Sequence, residues 1–269
     1  MNDLPDLPDL VVPSRFCGPP SSGNGGWSAG AISAHAGQEC PHDHAQPWPT
    51  VTVSLLAPPP LDVPMQVSRA EDGGVVASYG GKPVLTARCS HDEVRVVEPV
   101  PAEEARAASA SFAGLTSHPF PTCFGCGTRR DPGDGLRIFP GRVAHAPPVD
   151  RNPGGPRVAA TWTPHPSVAE DFHAYADGTP RAALPVAWAA LDCVGGWAGD
   201  FGARMIVLAR MTARLDSLPA IGEEHVLVGM GRGNDGRKTW TSATMYDADG
   251  RVVGSAEHLW ITVDAADFA

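Results

Sequence analysis

A single carboxylate lies in an otherwise apolar stretch of the chain. The stretch is Val186-Ala-Trp-Ala-Ala-Leu-Asp-Cys-Val-Gly-Gly-Trp197, and Asp192 carries its only charge. Taking a carboxylate out of water costs several kcal/mol unless the group is paired or protonated. Asp192 is therefore either satisfied by buried donors or used for chemistry, because carboxylates in such surroundings concentrate at functional sites.

Two other groups of residues have the composition of a metal or redox site. Cys123-Phe-Gly-Cys126 has the spacing of half a zinc site, and Cys40-Pro-His-Asp-His44 could add further ligands. The chain has no second Cys-x-x-Cys, and this pair precedes a strand pattern instead of opening a helix. We therefore predict no metal and no cofactor. Cys193 is predicted to be a packed core thiol, because one step along a helix turns it about 100° from Asp192.

Composition and charge narrow the class of protein. The chain has 269 residues, of which 42% are hydrophobic, with 30 glycines and 28 prolines, which suits one large domain or two ordinary ones with many turns. The net charge is −10 and no basic stripe is present, which argues against nucleic-acid binding. No apolar run approaches the roughly 20 residues of a membrane span, and the acidic start lacks signal-peptide features. We expect a soluble cytoplasmic protein with no membrane partner.

Alternating apolar patterns separated by Gly and Pro turns predict a chain rich in antiparallel strands. The predicted strands are Val51–Leu56, Met65–Arg69, Val75–Tyr79, Val84–Cys89, Val94–Glu98, Leu136–Val143, Val158–Trp162, Ile206–Arg214, His225–Gly231, Thr239–Asp247 and Val252–Val263. Helices are predicted over Trp27–Ala36, Ala102–Ala113 and Pro185–Gly199. The predicted organisation is a flexible tail (1–13), a first domain (14–98), a linker (99–121) and a second domain (122–264).

The second half of the chain repeats the plan of the first. Strand patterns near Val53 and Met65 recur near Met211 and Val226, which sets the offset between the halves at roughly 157–160 positions. Asp192 then corresponds to about Ser33. The two halves therefore share one architecture and differ in chemistry.

Four segments carry a family resemblance. They are His118-Pro-Phe-Pro-Thr-Cys-Phe-Gly-Cys-Gly127 with Asp134-Gly-Leu-Arg-Ile138, the helix segment 187–193, the hairpin 246–260, and Phe16-Cys-Gly-Pro-Pro with Asn24-Gly-Gly-Trp27. Together they resemble the hotdog fold in its tandem form, as found in acyl-CoA thioesterases. The resemblance implies an α+β double hotdog, each half a curved antiparallel β-sheet wrapped around a central helix.

The resemblance also implies roles for individual residues. Backbone N–H groups of Gly25 and Gly26, at a helix start, would form an oxyanion hole, as helix N-termini favour negative charge. Asn24 stands where the family often has histidine and would orient substrate or water; the alternative is that Asn24-Gly25-Gly26 is simply a turn and cap. Asp192 would be the general base or nucleophile; the alternative is a satisfied structural acid.

Substrate contacts are assigned to Trp27, Ser33 and Trp188, against the alternative that these side chains only fill the core.

The first half has the Gly-Gly helix start, whereas the second has the acid and a proline, Pro185, where an N–H donor would be needed. In hotdog dimers each site takes the oxyanion loop from one subunit and the acid from the other, so the resemblance implies one composite site here, built from Asn24–Gly26 and Asp192.

The predicted function is hydrolysis of an acyl thioester, with acyl-CoA as the expected substrate. Two alternatives stay open: a non-catalytic acyl-thioester binding protein, and a hotdog hydratase. A hydratase usually has a histidine a few residues from its aspartate, and no histidine follows Asp192 in the helix. Tandem halves form a pseudo-dimer, so both a monomer and a homo-oligomer are compatible with the sequence.

Overall fold

The computed structural model describes residues 7–36, 48–144, 155–170, 175, 177–199, 201 and 204–264. These residues form one antiparallel sheet of 11 strands, ordered β1-β3-β4-β5-β2-β8-β11-β10-β9-β7-β6. The strands are β1 (Leu10–Val11), β2 (Val51–Leu55), β3 (Pro64–Arg69), β4 (Val75–Tyr79), β5 (Lys82–Cys89), β6 (Gly141–Arg142), β7 (Arg157–Trp162), β8 (Ile206–Leu215), β9 (His225–Asp235), β10 (Lys238–Tyr246) and β11 (Val252–Thr262). The α-helices are α1 (Gly25–Ser33), α2 (Ala102–Ala110) and α3 (Leu184–Ala198). A large antiparallel sheet with few helices confirms the α+β class.

The two halves of the chain join at the middle of the sheet, where β2 pairs with β8. Thr52 lies opposite Thr212 in this pairing, and their Oγ1 atoms are 2.8 Å apart. The two threonines are separated by 160 positions, which agrees with the offset that the repeat predicts. Corresponding strands of the two halves thus meet each other at the seam.

Apart from Asp192, helix α3 is apolar on every side, and it is buried from Val186 to Ala198. A helix with no polar face has to be enclosed, and α3 packs against β7 to β11 on one side and α1 on the other. Helix α1 packs against β2, β5 and β8. Pro185 fits the first turn of α3, where no intrahelical donor is required.

Two glycines of α1 allow the helices to touch along their backbones. A Cβ atom at Gly26 would lie 2.4 Å from Cβ of Asp192, and one at Gly30 would lie 2.7 Å from Cα of Pro185. Neither distance can be tolerated without separating the helices. The spacing of four residues puts both glycines on one face of α1, so this face is the helix–helix contact.

Three expectations about the elements differ from the structure. The flexible tail was expected to extend to residue 13, but Leu10 and Val11 form β1 and pair with β3. Val94–Glu98 is not a strand, because Val97 donates its N–H to Thr244 Oγ1 at 2.9 Å instead of pairing with a strand.

The third difference concerns Leu136–Val143, of which only β6 joins the sheet. Leu136 and Ile138 donate their N–H groups to the carbonyl oxygens of Phe124 and Gly125, at 2.8 and 3.0 Å. These bonds tie the segment to the Cys-x-x-Cys loop.

The expected linker contains α2, which packs against β7. Among the described residues, no helix combines the length and the apolar character needed to cross a membrane.

Candidate active site

The first turn of α1 presents three backbone N–H groups, which differ in their hydrogen-bond acceptors. Asn24 caps the helix, because its Oδ1 accepts from the N–H of Trp27 at 2.8 Å. The N–H of Gly26 donates to Oδ2 of Asp192 at 2.9 Å. The N–H of Gly25 has no acceptor among the described residues. Gly25 is thus the first-turn donor that stays available to a ligand.

Asp192 comes from the middle of α3 and reaches the start of α1 across the helix contact. Its side chain is 4% exposed, and its second oxygen, Oδ1, has no hydrogen-bond partner in the described part of the chain. Burial raises the pKa of Asp192 to about 7, and the nearby Cys123 acts in the same direction. Hydrogen bonds from Gly26 and Asn24 oppose this rise in pKa. The result is a carboxyl group able to exchange protons near neutral pH.

A cavity of about 440 Å³ opens at this point, within the usual range for small-molecule sites. Both halves of the chain contribute to its wall, which is mainly apolar. The lining comprises Gly18, Pro19, residues 22–25, residues 55–59, Phe120, Cys123, Cys126, Asp192, Cys193, Gly196, Trp197, Phe201, residues 206–209, Trp260, Ile261 and Val263. Few polar groups in a largely apolar cavity suit a ligand with an apolar body and one reacting polar group.

Three buried thiols line the same cavity. The Sγ atoms of Cys123, Cys126 and Cys193 all lie within 4.8 Å of one another, and those of Cys123 and Cys193 are 3.8 Å apart. Asn24 Nδ2 lies 3.6 Å from Cys123 Sγ. Cys193 is buried in the hydrophobic core, as predicted, and it also lines the cavity beside Asp192.

The thiols differ in acidity. Interactions with the thiols of Cys126 and Cys193 hold the pKa of Cys123 well below the ordinary thiol value, aided by the backbone N–H groups of Cys126 and Gly125. Burial raises the pKa of Cys126, and donation to Cys123 raises that of Cys193. Of the three thiols, Cys123 is the one whose pKa is lowered.

Three close thiols could also ligate a soft metal ion, but structural zinc sites take four protein ligands. The five described cysteines are free thiols. The Cys40–His44 group considered as a source of further ligands lies outside the described residues. The sequence signals for the cluster were the Cys-x-x-Cys pair and the thiol beside Asp192; only the fold brings them together.

The structure brings Asn24, Gly25 and Asp192 together at the cavity wall. Gly26 lies just behind them, in contact with Trp188 and Asp192 of α3. Its N–H donates to Asp192, so of the two N–H groups predicted to bind an oxyanion only that of Gly25 has no acceptor among the described residues.

The three residues expected to contact substrate lie elsewhere. Trp27 stacks on Phe16 with ring centroids 4.3 Å apart. Ser33 is buried in α1 and donates its hydroxyl to the carbonyl of Gly30 at 2.8 Å. Trp188 is fully buried against Gly30. None of the three lines the cavity, because all serve the packing of α1 and its contact with α3.

Comparison with solved structures shows that this arrangement of sheet and helices is the hot dog fold, as the resemblance predicted. A hot dog fold protein of unknown function from Alicyclobacillus acidocaldarius matches with a TM-score of 0.52 and 14% identity, over 95% of this chain and 92% of that one. The acyl-CoA thioesterase II TesB2 of Mycobacterium marinum matches with a TM-score of 0.53 and 13% identity, over 90% of each chain. The tesB protein of Mycobacterium avium subspecies paratuberculosis matches with a TM-score of 0.52 and 14% identity, over 90% of this chain and 87% of that one. No protein-family model and no curated protein matches the sequence.

Proposed function

We propose that this protein hydrolyses an acyl thioester, with acyl-CoA as substrate, at one composite site between two hotdog halves. In this proposal each half is a curved antiparallel sheet around its own helix, α1 or α3. The observation that carries the proposal is the bond from the Gly26 N–H to Asp192, 2.9 Å long, which leaves Oδ1 of the carboxylate unpaired beside the cavity. The thioesterase names among proteins of the same fold support the choice of reaction.

The chemistry follows from the two groups at the cavity wall. The thioester carbonyl oxygen accepts a hydrogen bond from the Gly25 N–H, and the positive end of α1 stabilises the negative charge that develops on it. Asp192 takes a proton from a water molecule as that water forms a bond to the carbonyl carbon. The carbon–sulfur bond then breaks, and the thiolate leaves with the proton that Asp192 held. The products are a carboxylic acid and a free thiol.

Asn24 acts on position more than on charge. Its Oδ1 is engaged by the cap of α1, and its Nδ2 faces Cys123. The side chain therefore fixes the helix start relative to the cavity, which holds the Gly25 donor in place for the carbonyl oxygen.

The proposal gives each chain one site. The position that corresponds to Asp192 in the first half is Ser33, whose hydroxyl is bonded within its own helix. The start of α3 includes Pro185, which has no N–H to offer an oxyanion. A second site built from the start of α3 and from Ser33 would therefore lack the base, and it would lack an N–H donor at Pro185.

The test is release of free thiol from a series of acyl-CoAs of increasing chain length. Asp192→Asn is expected to lower kcat/KM by roughly 10²–10⁴-fold, the usual contribution of a general base. Asp235→Asn is a matched control, because Asp235 is exposed at the end of β9. Equal turnover in Asp192→Asn and wild type would rule out the proposed base. Binding of acyl-CoA without turnover at any chain length would identify an acyl-thioester binding protein instead.

A further inference from the structure

We propose that Cys123 receives the acyl group from the substrate before water does, so that the thioester hydrolysed at this site is one formed on the protein. This inference rests on the proposed function and assigns a nucleophile to the same cavity. It starts from the position of the three thiols, which the hydrolytic chemistry alone does not use.

Cys123 lies at the point where the other reacting groups meet. Its Sγ is 3.6 Å from Nδ2 of Asn24, the residue directly before the Gly25 donor. Asp192 and Cys193 are neighbours on α3, and Cys193 Sγ is 3.8 Å from Cys123 Sγ. All these residues line the cavity. A nucleophile, an oxyanion donor and a base therefore surround the same small volume, which is the geometric requirement for acyl transfer.

The surroundings of Cys123 favour its thiolate over its thiol. The loop from Cys123 to Gly127 is closed by a bond from the Gly127 N–H to the Cys123 carbonyl, 2.8 Å long. Two possible donors lie beside this sulfur: Asn24 Nδ2 at 3.6 Å and the Cys193 thiol at 3.8 Å. Donors around the sulfur lower the cost of holding a negative charge in an otherwise apolar wall.

A role in packing alone does not account for this arrangement equally well. Gly125 lies against Cys193, because a Cβ at that position would be 2.4 Å from Cys193 Sγ. The close approach of the loop to α3 keeps the thiols together and leaves them facing the cavity. A structural thiol has no need of donors directed at its sulfur.

The acyl-transfer step balances without any further reagent. The Cys123 thiolate forms a bond to the carbonyl carbon, and the Gly25 N–H accommodates the oxyanion. The bond from that carbon to the carrier sulfur breaks, and the carrier leaves as a thiolate that takes a proton from water. One thioester replaces another, so the step has little net energy change. Water then attacks the acyl-cysteine while Asp192 takes its proton, and the Cys123 thiolate is released with the free acid. The proton on Asp192 passes to the hydroxide left by the first step, which restores the starting state.

The test is intact-mass analysis after incubation with acyl-CoA, using Asp192→Asn to block the second step. This variant is expected to gain the mass of one acyl group, and peptide mapping should place it on Cys123. The double variant Asp192→Asn with Cys123→Ala should gain none. Cys89→Ser in the Asp192→Asn background is the matched control, because Cys89 is exposed on β5 and outside the cavity. That control should acylate fully.

Turnover separates the two proposals. Cys123→Ala with wild-type turnover, alongside an inactive Asp192→Asn, would overturn the acyl-cysteine while the hydrolytic proposal stands. An adduct on Cys123 with no acid released by wild type would overturn the hydrolytic proposal while the acyl-cysteine stands. Stoichiometric zinc that is lost on Cys123→Ala would also overturn the inference, because metal-bound thiolates are not free to attack. Circular dichroism of each variant shows whether it folds.

Discussion

Replacement of Asp192 by asparagine is expected to stabilise the folded protein at alkaline pH while removing hydrolysis. Asparagine has nearly the same shape and keeps an oxygen that can accept from the Gly26 N–H. It removes only the charge, and burial is the main reason that this charge is unfavourable. The expected gain in stability therefore depends on pH, because packing is nearly the same in the two proteins.

The magnitude follows from the difference between the folded and unfolded titrations. The pKa of Asp192 is raised from 3.8 to about 7 in the folded protein. Between these values the folded chain keeps a proton that the unfolded chain releases, so the contribution to stability is complete below pH 4 and is lost as pH rises towards 7. At ~1.4 kcal/mol per pKa unit, the loss approaches about 4 kcal/mol. For a protein of this size that corresponds to roughly 8–16 °C in Tm.

The assay is thermal unfolding of wild type, Asp192→Asn and Asp235→Asn across the range from pH 4 to 9. The Tm of Asp192→Asn should exceed that of wild type above neutral pH, and the difference should vanish near pH 4. Asp235→Asn should track wild type throughout, because Asp235 is exposed. A Tm difference that is constant with pH, or an asparagine variant that is less stable near pH 8, would refute the reasoning.

Three further perturbations test other parts of the structure. Gly26→Ala places a Cβ 2.4 Å from Cβ of Asp192. The resulting overpacking is expected to destabilise the fold by ~1–3 kcal/mol, which exceeds the ~1 kcal/mol by which alanine stabilises a helix relative to glycine. Both Tm and turnover should therefore fall. Gly199→Ala, which meets only side-chain methyl groups, should cost much less in Tm. Asn24→Ala should lower the free energy of unfolding by ~0.5–2 kcal/mol through loss of the α1 cap, as measured in urea. Burial lowers the pKa of His258 to about 3, so the contribution of this histidine to stability is lost as pH falls below 6.5, and the Tm of His258→Gln should rise relative to that of wild type over the same range.

The parts of the fold that could be predicted are those governed by local pattern. The uninterrupted apolar run predicted α3 as Pro185–Gly199, and the helix spans Leu184–Ala198. The alternation of apolar residues placed β8, β10 and β11 to within one residue at each end, whereas β9 continues to Asp235, four residues beyond its predicted end. The segment Val94–Glu98 has the same alternation, but its backbone is satisfied by a side chain on β10. Nothing local distinguishes a strand that pairs with backbone from an extended segment that bonds to side chains.

The candidate site shows the same division. The repeat showed that one half holds the acid and the other the Gly-Gly helix start, and the resemblance to tandem hotdog proteins implied that Asp192 and the start of α1 meet. Trp27 and Trp188 were assigned to the cavity because large aromatic residues suit either role, and here they pack the helices. The cluster of Cys123 with Cys193 depends on a contact between residues 70 positions apart, which no spacing in the chain reveals.

The two ends of the sheet have a consequence for association between molecules. β1 and β6 are the outermost strands, and each contains only two residues. β1 pairs only with Pro64 and Met65, so residues 66–69 of β3 have no strand on their outer side among the described residues. At the other end, α2 packs against β7 beside β6, and Ser109 Oγ accepts from the Thr161 N–H at 3.4 Å. The uncovered part of β3 is therefore the edge of the sheet where a strand of a second copy would add.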